Sequence, residues 1–289
     1  MELTVWDVLN EQQRADVSLE WTARRTVILA IDSEKGGVGK TALAGGLAGV
    51  AGEHGLPVLA IDLDPRATLT AELDAERTGD YTVNDLLYQD PSGPVTQLRG
   101  LAADAIRPAG IAWPRSVKVI AAERALAHRE SDPTANLENR LKVALHGVAD
   151  DFALILLDLP PRAGGKLVGA GLLAATHVIF PGTLNEDGYI GVRDAMHTVE
   201  VIRTTDPEPA EIVGVLRNVV DRETQLARTY DEKLRAEHGD LVMDVAVPRR
   251  VVREEARTAC VPITAAGPTG RAVTNAYIHV LNRVGKAAA

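Results

Sequence analysis

Lys35-Gly36-Gly37-Val38-Gly39-Lys40-Thr41 is the stretch that decides the reading of this chain. It follows the apolar run Val27-Ile28-Leu29-Ala30-Ile31 and opens an Ala/Leu-rich segment, Thr41–Glu53. That segment reads as a helix ending near Gly55, with Pro57 barring continuation. Strand, glycine loop and helix in this order form a phosphate-binding loop. The glycines let backbone N–H groups turn inward around a polyphosphate, a lysine reaches the β- and γ-phosphates, and a hydroxyl holds Mg²⁺. Gly36, Gly37, Val38 and Gly39 supply the loop, Lys40 the lysine and Thr41 the hydroxyl. The spacing G-x-x-x-x-G-K-[ST] is not met, because Glu34 stands where the first glycine would be and a second lysine, Lys35, opens the loop.

Outward from this loop the pattern repeats. Apolar runs that read as buried parallel strands are Val27–Ile31, Val58–Ile61, Val117–Ala121, Ala153–Leu157, His177–Phe180, Ile212–Leu216 and Val242–Val247. Helical segments separate most of them, among them Thr134–Val148, Gly188–Arg203 and Thr224–Glu237, and Thr269–Ala287 reads as a closing helix. The alternation predicts an α/β fold with a mostly parallel twisted sheet flanked by helices on both faces. Asp90–Gly110, rich in Pro and Gly, reads as an irregular loop. Residues 25–289 form the expected domain, and residues 1–24 an extension before it. There Leu3, Val5, Trp6, Val8 and Leu9 fit one short amphipathic helix, packed on the domain surface rather than kept as an arm for a partner.

Composition narrows the function. The chain has 289 residues and a net charge of -9, so any DNA contact must come from a local basic patch. Aromatic residues make up 3%, too few for a base-stacking platform. The single cysteine, Cys260, excludes an intramolecular disulfide and a cysteine-ligated cluster within one chain. The histidines show no ligand spacing, which leaves Mg²⁺ on oxygen ligands as the natural metal. Met1–Arg25 lacks the apolar core of a signal peptide, and no apolar run approaches membrane-spanning length; the expectation is a cytoplasmic protein with no membrane contact.

Two further motifs carry chemistry. Asp62-Leu63-Asp64-Pro65-Arg66 ends the second strand, and carboxylates at strand carboxyl ends face the ligand crevice of an open α/β sheet. One of Asp62 and Asp64 suits the attacking water, the other the surroundings of Mg²⁺. Leu154-Ile155-Leu156-Leu157-Asp158-Leu159-Pro160-Pro161 is an apolar strand ending in Asp, the Walker B arrangement, whose carboxylate serves the Mg²⁺ shell or the loop threonine. Each is weak alone; their order after the phosphate loop makes a joint signal.

These segments resemble the ParA/MinD group of deviant Walker A ATPases, and most closely the ParA partition ATPases. KGGVGKT is similar to the deviant Walker A, IDLDPR to the D-x-D-P-Q segment and LILLDLPP to Walker B. Ile179-Phe180-Pro181 through Gly191, Asn218 to Asp221, Val247-Pro248-Arg249 through Glu255-Ala256, and Val261-Pro262-Ile263 extend the likeness over about residues 25–287. The resemblance implies a P-loop NTPase fold, ATP and Mg²⁺ as cofactors, and a homodimer formed with ATP. Lys35 would reach the partner's phosphates, as an arginine finger does. Lys35, Lys40 and Asp64 would be catalytic, and Thr41, Asp62 and Asp158 would serve the metal. Ala42, Asn218 and Pro248 would join the loop in holding nucleotide. The dimer would bind nonspecific DNA on the nucleoid, and a ParB-like partner would stimulate hydrolysis, so that a plasmid or chromosome is segregated. Four positions depart from the family: Ala42 follows Thr41 in place of a hydroxyl residue, Arg66 replaces a glutamine, Asn185 an acidic residue, and Val252 a DNA-contacting arginine.

The candidate DNA patch is Arg249, Arg250, Arg253 and Arg257, the last three sharing a face if the segment is helical. Other classes remain beside the partition ATPase. A MinD-like positioning ATPase needs an apolar C-terminal membrane helix, and Asn282–Ala289 is poor in bulky apolar residues. A nucleotide-binding regulator that hydrolyses weakly fits Ala42 and Arg66, and a metabolic ATP-dependent ligase of the same fold would make few demands on Lys35.

Overall fold

Central strands covered on both faces are buried along their whole length, as in Leu154–Asp158. The computed structural model describes residues 4–14, 17–75, 81–90, 92–162, 164–221 and 223–289. In chain order its elements are α1 (Val5–Arg14), β1 (Val27–Ile31), α2 (Lys40–Glu53), β2 (Val58–Asp62), α3 (Thr68–Glu72), α4 (Val83–Leu87), α5 (Ala102–Ala105), β3 (Ile106–Pro108), β4 (Val117–Ile120), α6 (Arg140–Leu145), β5 (Leu154–Asp158), α7 (Lys166–Ala174), β6 (His177–Gly182), α8 (Glu186–Arg203), β7 (Glu211–Val220), α9 (Gln225–His238), β8 (Val242–Pro248), α10 (Val251–Thr258) and α11 (Arg271–Ala287). The strands form one sheet in the order β3-β4-β2-β5-β1-β6-β7-β8. All neighbours run parallel except β3, which lies antiparallel on β4. β1 sits between β5 and β6, and the chain leaves it to build both halves of the sheet, so a crevice opens at its carboxyl end.

Alternate strand residues feed two cores. Leu59, Ile61 and Ile155 meet α4, α6, α7 and α8 through Leu86, Leu141, Leu167 and Val192. Val58, Ala60 and Leu156 meet α2, α3 and α11 through Leu43, Leu69 and Leu281. α2 and α11 approach closely because α2 carries glycine at the contact: a Cβ on Gly46 would lie 2.1 Å from the Tyr277 ring.

α1 lays Val5 and Leu9 against Val220 and Ala246, beside β7 and β8. Of the apolar positions expected in that helix, Leu3 lies outside the described residues. The following segment runs along α11: Asn282 accepts from Glu20 N at 2.7 Å and donates to Ser18 O at 3.0 Å, and the Thr22 hydroxyl donates to Gly285 O at 2.8 Å.

Two expectations need correction. Asp90–Gly110 is not wholly irregular, since α5 and the antiparallel edge strand β3 fall within it. The helix expected over Thr134–Val148 shrinks to α6 behind a 3₁₀ turn, Leu137–Asn139. Asn136 at φ 56° and Gly147 at φ 83° set its limits, because left-handed backbone cannot continue a right-handed helix. No helix of the described residues is long and apolar enough to cross a membrane.

Candidate nucleotide-binding site

The loop between β1 and α2 has the backbone a phosphate needs. Gly37 (φ 81°) and Gly39 (φ 84°) adopt left-handed conformations open to glycine, and Gly39 caps α2. The free N–H groups of the first turn of α2 and the positive end of its dipole then face the crevice. Asn218, at the end of β7, holds the loop from below: its amide donates to Val38 O at 2.7 Å and to Gly39 O at 3.3 Å. A Cβ at Gly39 would lie 2.7 Å from that amide, so only glycine allows the approach. Asn218, expected at the nucleotide, therefore sits first against the loop that would bind it.

Lys40 is buried and curls over the loop, donating from Nζ to Ser33 O at 2.7 Å and Lys35 O at 3.2 Å. Burial pushes its pKa down, while Asp158, Asp32 and Asp64 oppose that shift. Asp158 pairs in register with Asp62 across β5 and β2 and with Ile31 of β1, at the middle of the sheet. Its side chain is 1% exposed, and among the described residues neither carboxylate oxygen has a hydrogen-bond partner apart from the nearby Thr41 hydroxyl. Burial, then the neighbouring Asp62, holds its pKa well above the carboxylate range; the Thr41 hydroxyl is near enough to oppose them. A buried carboxylate with so few donors is unfavourable unless a cation arrives. Mg²⁺ in phosphate sites uses one or two carboxylates and takes its remaining ligands from water and phosphate. Thr41 and Asp158 fit that donor set. Among the described residues no group of three or more His, Cys, Asp or Glu could hold a metal ion without phosphate.

Asp62, expected in the metal set, sits beside Asp158 and also braces its own loop. Its Oδ2 accepts from the Thr70 N–H and hydroxyl, both at 2.8 Å, and its Oδ1 from Asp64 N at 3.1 Å. Both oxygens thus accept from the loop after β2 and from α3. Burial raises its pKa to about 6, against the opposing bonds from Thr70. Asp64 is half-buried, accepts from Arg66 N at 2.9 Å, and lies close enough to Lys40 for its charge to act there.

A crevice of about 500 Å³ continues from Gly37 past Thr183, Asn185, Val219, Asp221 and Arg249. It is of a size for a nucleoside. Asn185 caps α8 by accepting from Gly188 N at 2.8 Å. Pro248 is buried at the end of β8 beside Val220 and is not in the crevice wall.

Sequence comparison agrees with this geometry. The family described as an AAA domain matches residues 26–211. The sporulation initiation inhibitor protein Soj of Bacillus subtilis is 30% identical over 247 residues, 84% of this chain and 92% of that protein. The chromosome partitioning protein ParA of Caulobacter vibrioides is 31% identical, over 79% of this chain and 83% of its own. The chain belongs to the ParA-type partition ATPases. In fold it is similar to McdA of Cyanothece, solved with ATP, with a TM-score of 0.76 and 17% identity over 89% of this chain and 96% of that one.

In this ParA-type chain the lysine that opens the loop is engaged on its own surface. Lys35 Nζ lies 2.9 Å from Asp187 Oδ1, both side chains being substantially exposed. Hydrogen bonding to Asp187 and its charge raise the Lys35 pKa. Ala42, expected among the nucleotide contacts, presents its carbonyl away from the loop: Arg253 Nη2 donates to it at 2.6 Å and the Tyr277 hydroxyl at 3.2 Å.

The arginine patch is not one surface. Arg249 pairs with Asp221 at 3.4 Å on the rim of the nucleoside crevice, and Arg250 and Arg257 are exposed, Arg257 lying 3.6 Å from Glu254. Arg253 is 8% exposed and forms an ion pair with buried Glu72. It cannot touch DNA from there, and its place among the DNA contacts is corrected. Helical spacing groups Arg250, Arg253 and Arg257 but does not say which side of α10 faces inward; Arg253 and Ala256 do.

Sequence reading also passed over Asp32. It follows β1 directly, is fully buried, and neither carboxylate oxygen has a hydrogen-bond partner among the described residues. Burial raises its pKa to about 7, with Lys40 opposing. An acid whose folded pKa lies above its unfolded value binds more protons when folded, so stability falls as pH rises between the two values. Asp32→Asn is therefore expected to raise the melting temperature of the ligand-free protein, by little near pH 4 and by a constant increment above about pH 7. Thermal unfolding at several pH values measures this, and a difference that does not grow with pH would contradict it.

Proposed function

We propose that this chain is an Mg²⁺-dependent ATPase that acts as a dimerising partition or positioning switch. The observation that carries the reading is Asp158, a buried carboxylate with only the Thr41 hydroxyl as a donor among the described residues, held near Lys40 under a phosphate-shaped loop. Loop N–H groups and Lys40 hold the β- and γ-phosphates, and Asn218 keeps the loop in shape for them. Mg²⁺, held by Thr41 and Asp158, supplies charge neutralisation to the phosphates when bound. Asp64 orients the attacking water from the strand end beside it. In the ATP state two copies pair face to face, the dimer binds nonspecific DNA on the nucleoid, and a ParB-like partner triggers hydrolysis and release.

The test is ATP hydrolysis with and without nonspecific DNA and the protein encoded by the neighbouring gene. Stimulation by both supports the switch; steady turnover indifferent to both favours a metabolic ligase of this fold, and no turnover a nucleotide-binding regulator. Lys35 gives a second arm. In the monomer it is held by Asp187, an exposed pair worth little, so reaching a partner's phosphate is not prevented. Lys35→Ala is expected to bind nucleotide as the wild type does and to fail to dimerise with a slowly hydrolysed analogue, as read by light scattering. A stable Lys35→Ala dimer with normal turnover would reject the cross-interface role.

A further inference from the structure

A second cleft, of about 730 Å³, opens at the carboxyl ends of β2 and β4 and shares no lining residue with the nucleoside crevice. Three arginines line it: Arg66 from the loop after β2, Arg107 from β3, and Arg124 from the start of the 3₁₀ turn Arg124–Ser131. Among the described residues no ion pair engages any of the three. Arg107 is oriented by the bond its Nη2 donates to Tyr81 O, yet its Nε is buried with no acceptor among the described residues. Among the described residues the one carboxylate in the wall, Glu123, is already engaged: its Oε1 accepts from the Thr82 hydroxyl at 2.9 Å and the Asn84 amide at 3.0 Å. This is a local excess of positive charge in a chain whose net charge is -9.

Like charges gathered in one concavity repel, and a buried N–H without an acceptor is unfavourable; an anion removes both penalties. The planar fork of a guanidinium fits the paired oxygens of phosphate and carboxylate. The volume is that of a small-molecule pocket. We propose that this cleft binds a small ligand bearing phosphate or carboxylate groups, independently of the phosphate loop. Its occupant would touch the segment that holds Asp64, because Arg66 N donates to Asp64 Oδ1 at 2.9 Å.

The test is calorimetric titration of the protein, its phosphate loop saturated with Mg-ADP, with inorganic pyrophosphate and separately with tricarballylate. One-site binding of either probe is expected, and the tighter of the two names phosphate or carboxylate as the natural group. Arg124→Gln, at an exposed position, should weaken it by about tenfold, and Arg107→Gln/Arg124→Gln further. Arg124→Lys, which keeps the charge and loses the fork, should fall between. No binding of either probe, or binding unaltered in Arg124→Gln and in the double variant, would overturn the assignment. Binding that vanishes in Lys40→Ala without ADP while surviving the arginine changes would place the anion in the phosphate loop and overturn it equally.

Discussion

Lys40→Ala is expected to lose the stabilisation that Mg-ATP gives the wild-type protein. At a ligand concentration a hundred times Kd that stabilisation is about 2.7 kcal/mol. For a chain of this size it appears as a rise in melting temperature of roughly 4–5 °C. The argument rests on position. Lys40 is the first residue of α2, follows a left-handed glycine, and reaches back over the loop to Ser33 O and Lys35 O. An ammonium there meets phosphate oxygens with no change in backbone. The variant also frees two loop carbonyls and leaves Asp158 and Asp32 without their nearest cation, so its ligand-free melting temperature should drop as well. The decisive quantity is therefore the ligand-induced shift within each protein. If Lys40→Ala showed the wild-type shift, the loop would not be the nucleotide site.

Much of this site was legible because its signals are local. A glycine at a left-handed position, a lysine opening a helix and an acid ending an apolar strand each show within a few residues. The long parallel strands were legible for a related reason: burial on both faces removes polar residues, as in Leu154-Ile155-Leu156-Leu157. β3 was not, since Ile106-Arg107-Pro108 is three residues at a sheet edge, contains a proline, and has only one neighbour. Asp32 was hidden because a charged residue after a strand reads as the start of a loop; its burial depends on β6 beside it, where Asp32 N donates to Ile179 O at 3.1 Å. Arg253 was hidden because its partner, Glu72, lies 181 residues away. No periodicity within α10 distinguishes a solvated arginine from one that crosses the core to another helix.

That pair supports the other large effect. Arg253 reaches from α10 to Glu72 at the end of α3, to the Tyr277 hydroxyl of α11 at 3.3 Å, and to Ala42 O in the first turn of α2 at 2.6 Å. Burial works against its charge, but Tyr277 and Glu72 overcome this and hold its pKa above the usual arginine value. Glu72 is 2% exposed, and burial raises its pKa even with Arg253 present. Arg253→Ala leaves that carboxylate buried and unpaired, a change that destabilises by about 3–5 kcal/mol. The loss should grow as pH rises, because without Arg253 the folded-state pKa of Glu72 climbs further and the folded protein must either take up a proton or bury a bare charge. Glu72→Leu/Arg253→Met should recover most of the stability, since apolar residues of similar volume replace a buried pair at little net loss. By contrast Arg250→Ala and Arg257→Ala, on the exposed side of α10, should alter stability by less than about 0.5 kcal/mol. The same variants separate structure from the proposed DNA contact. Phosphate contacts set the salt dependence of DNA affinity, by about 0.9 log units per log unit of salt for each contact. Arg250→Ala/Arg257→Ala should flatten that slope, whereas the Glu72→Leu/Arg253→Met protein should keep it. Urea unfolding and a salt titration of DNA affinity read the two effects. A wild-type stability for Arg253→Ala would refute the buried pair, and a flattened slope in the doubly apolar protein would return Arg253 to the DNA surface.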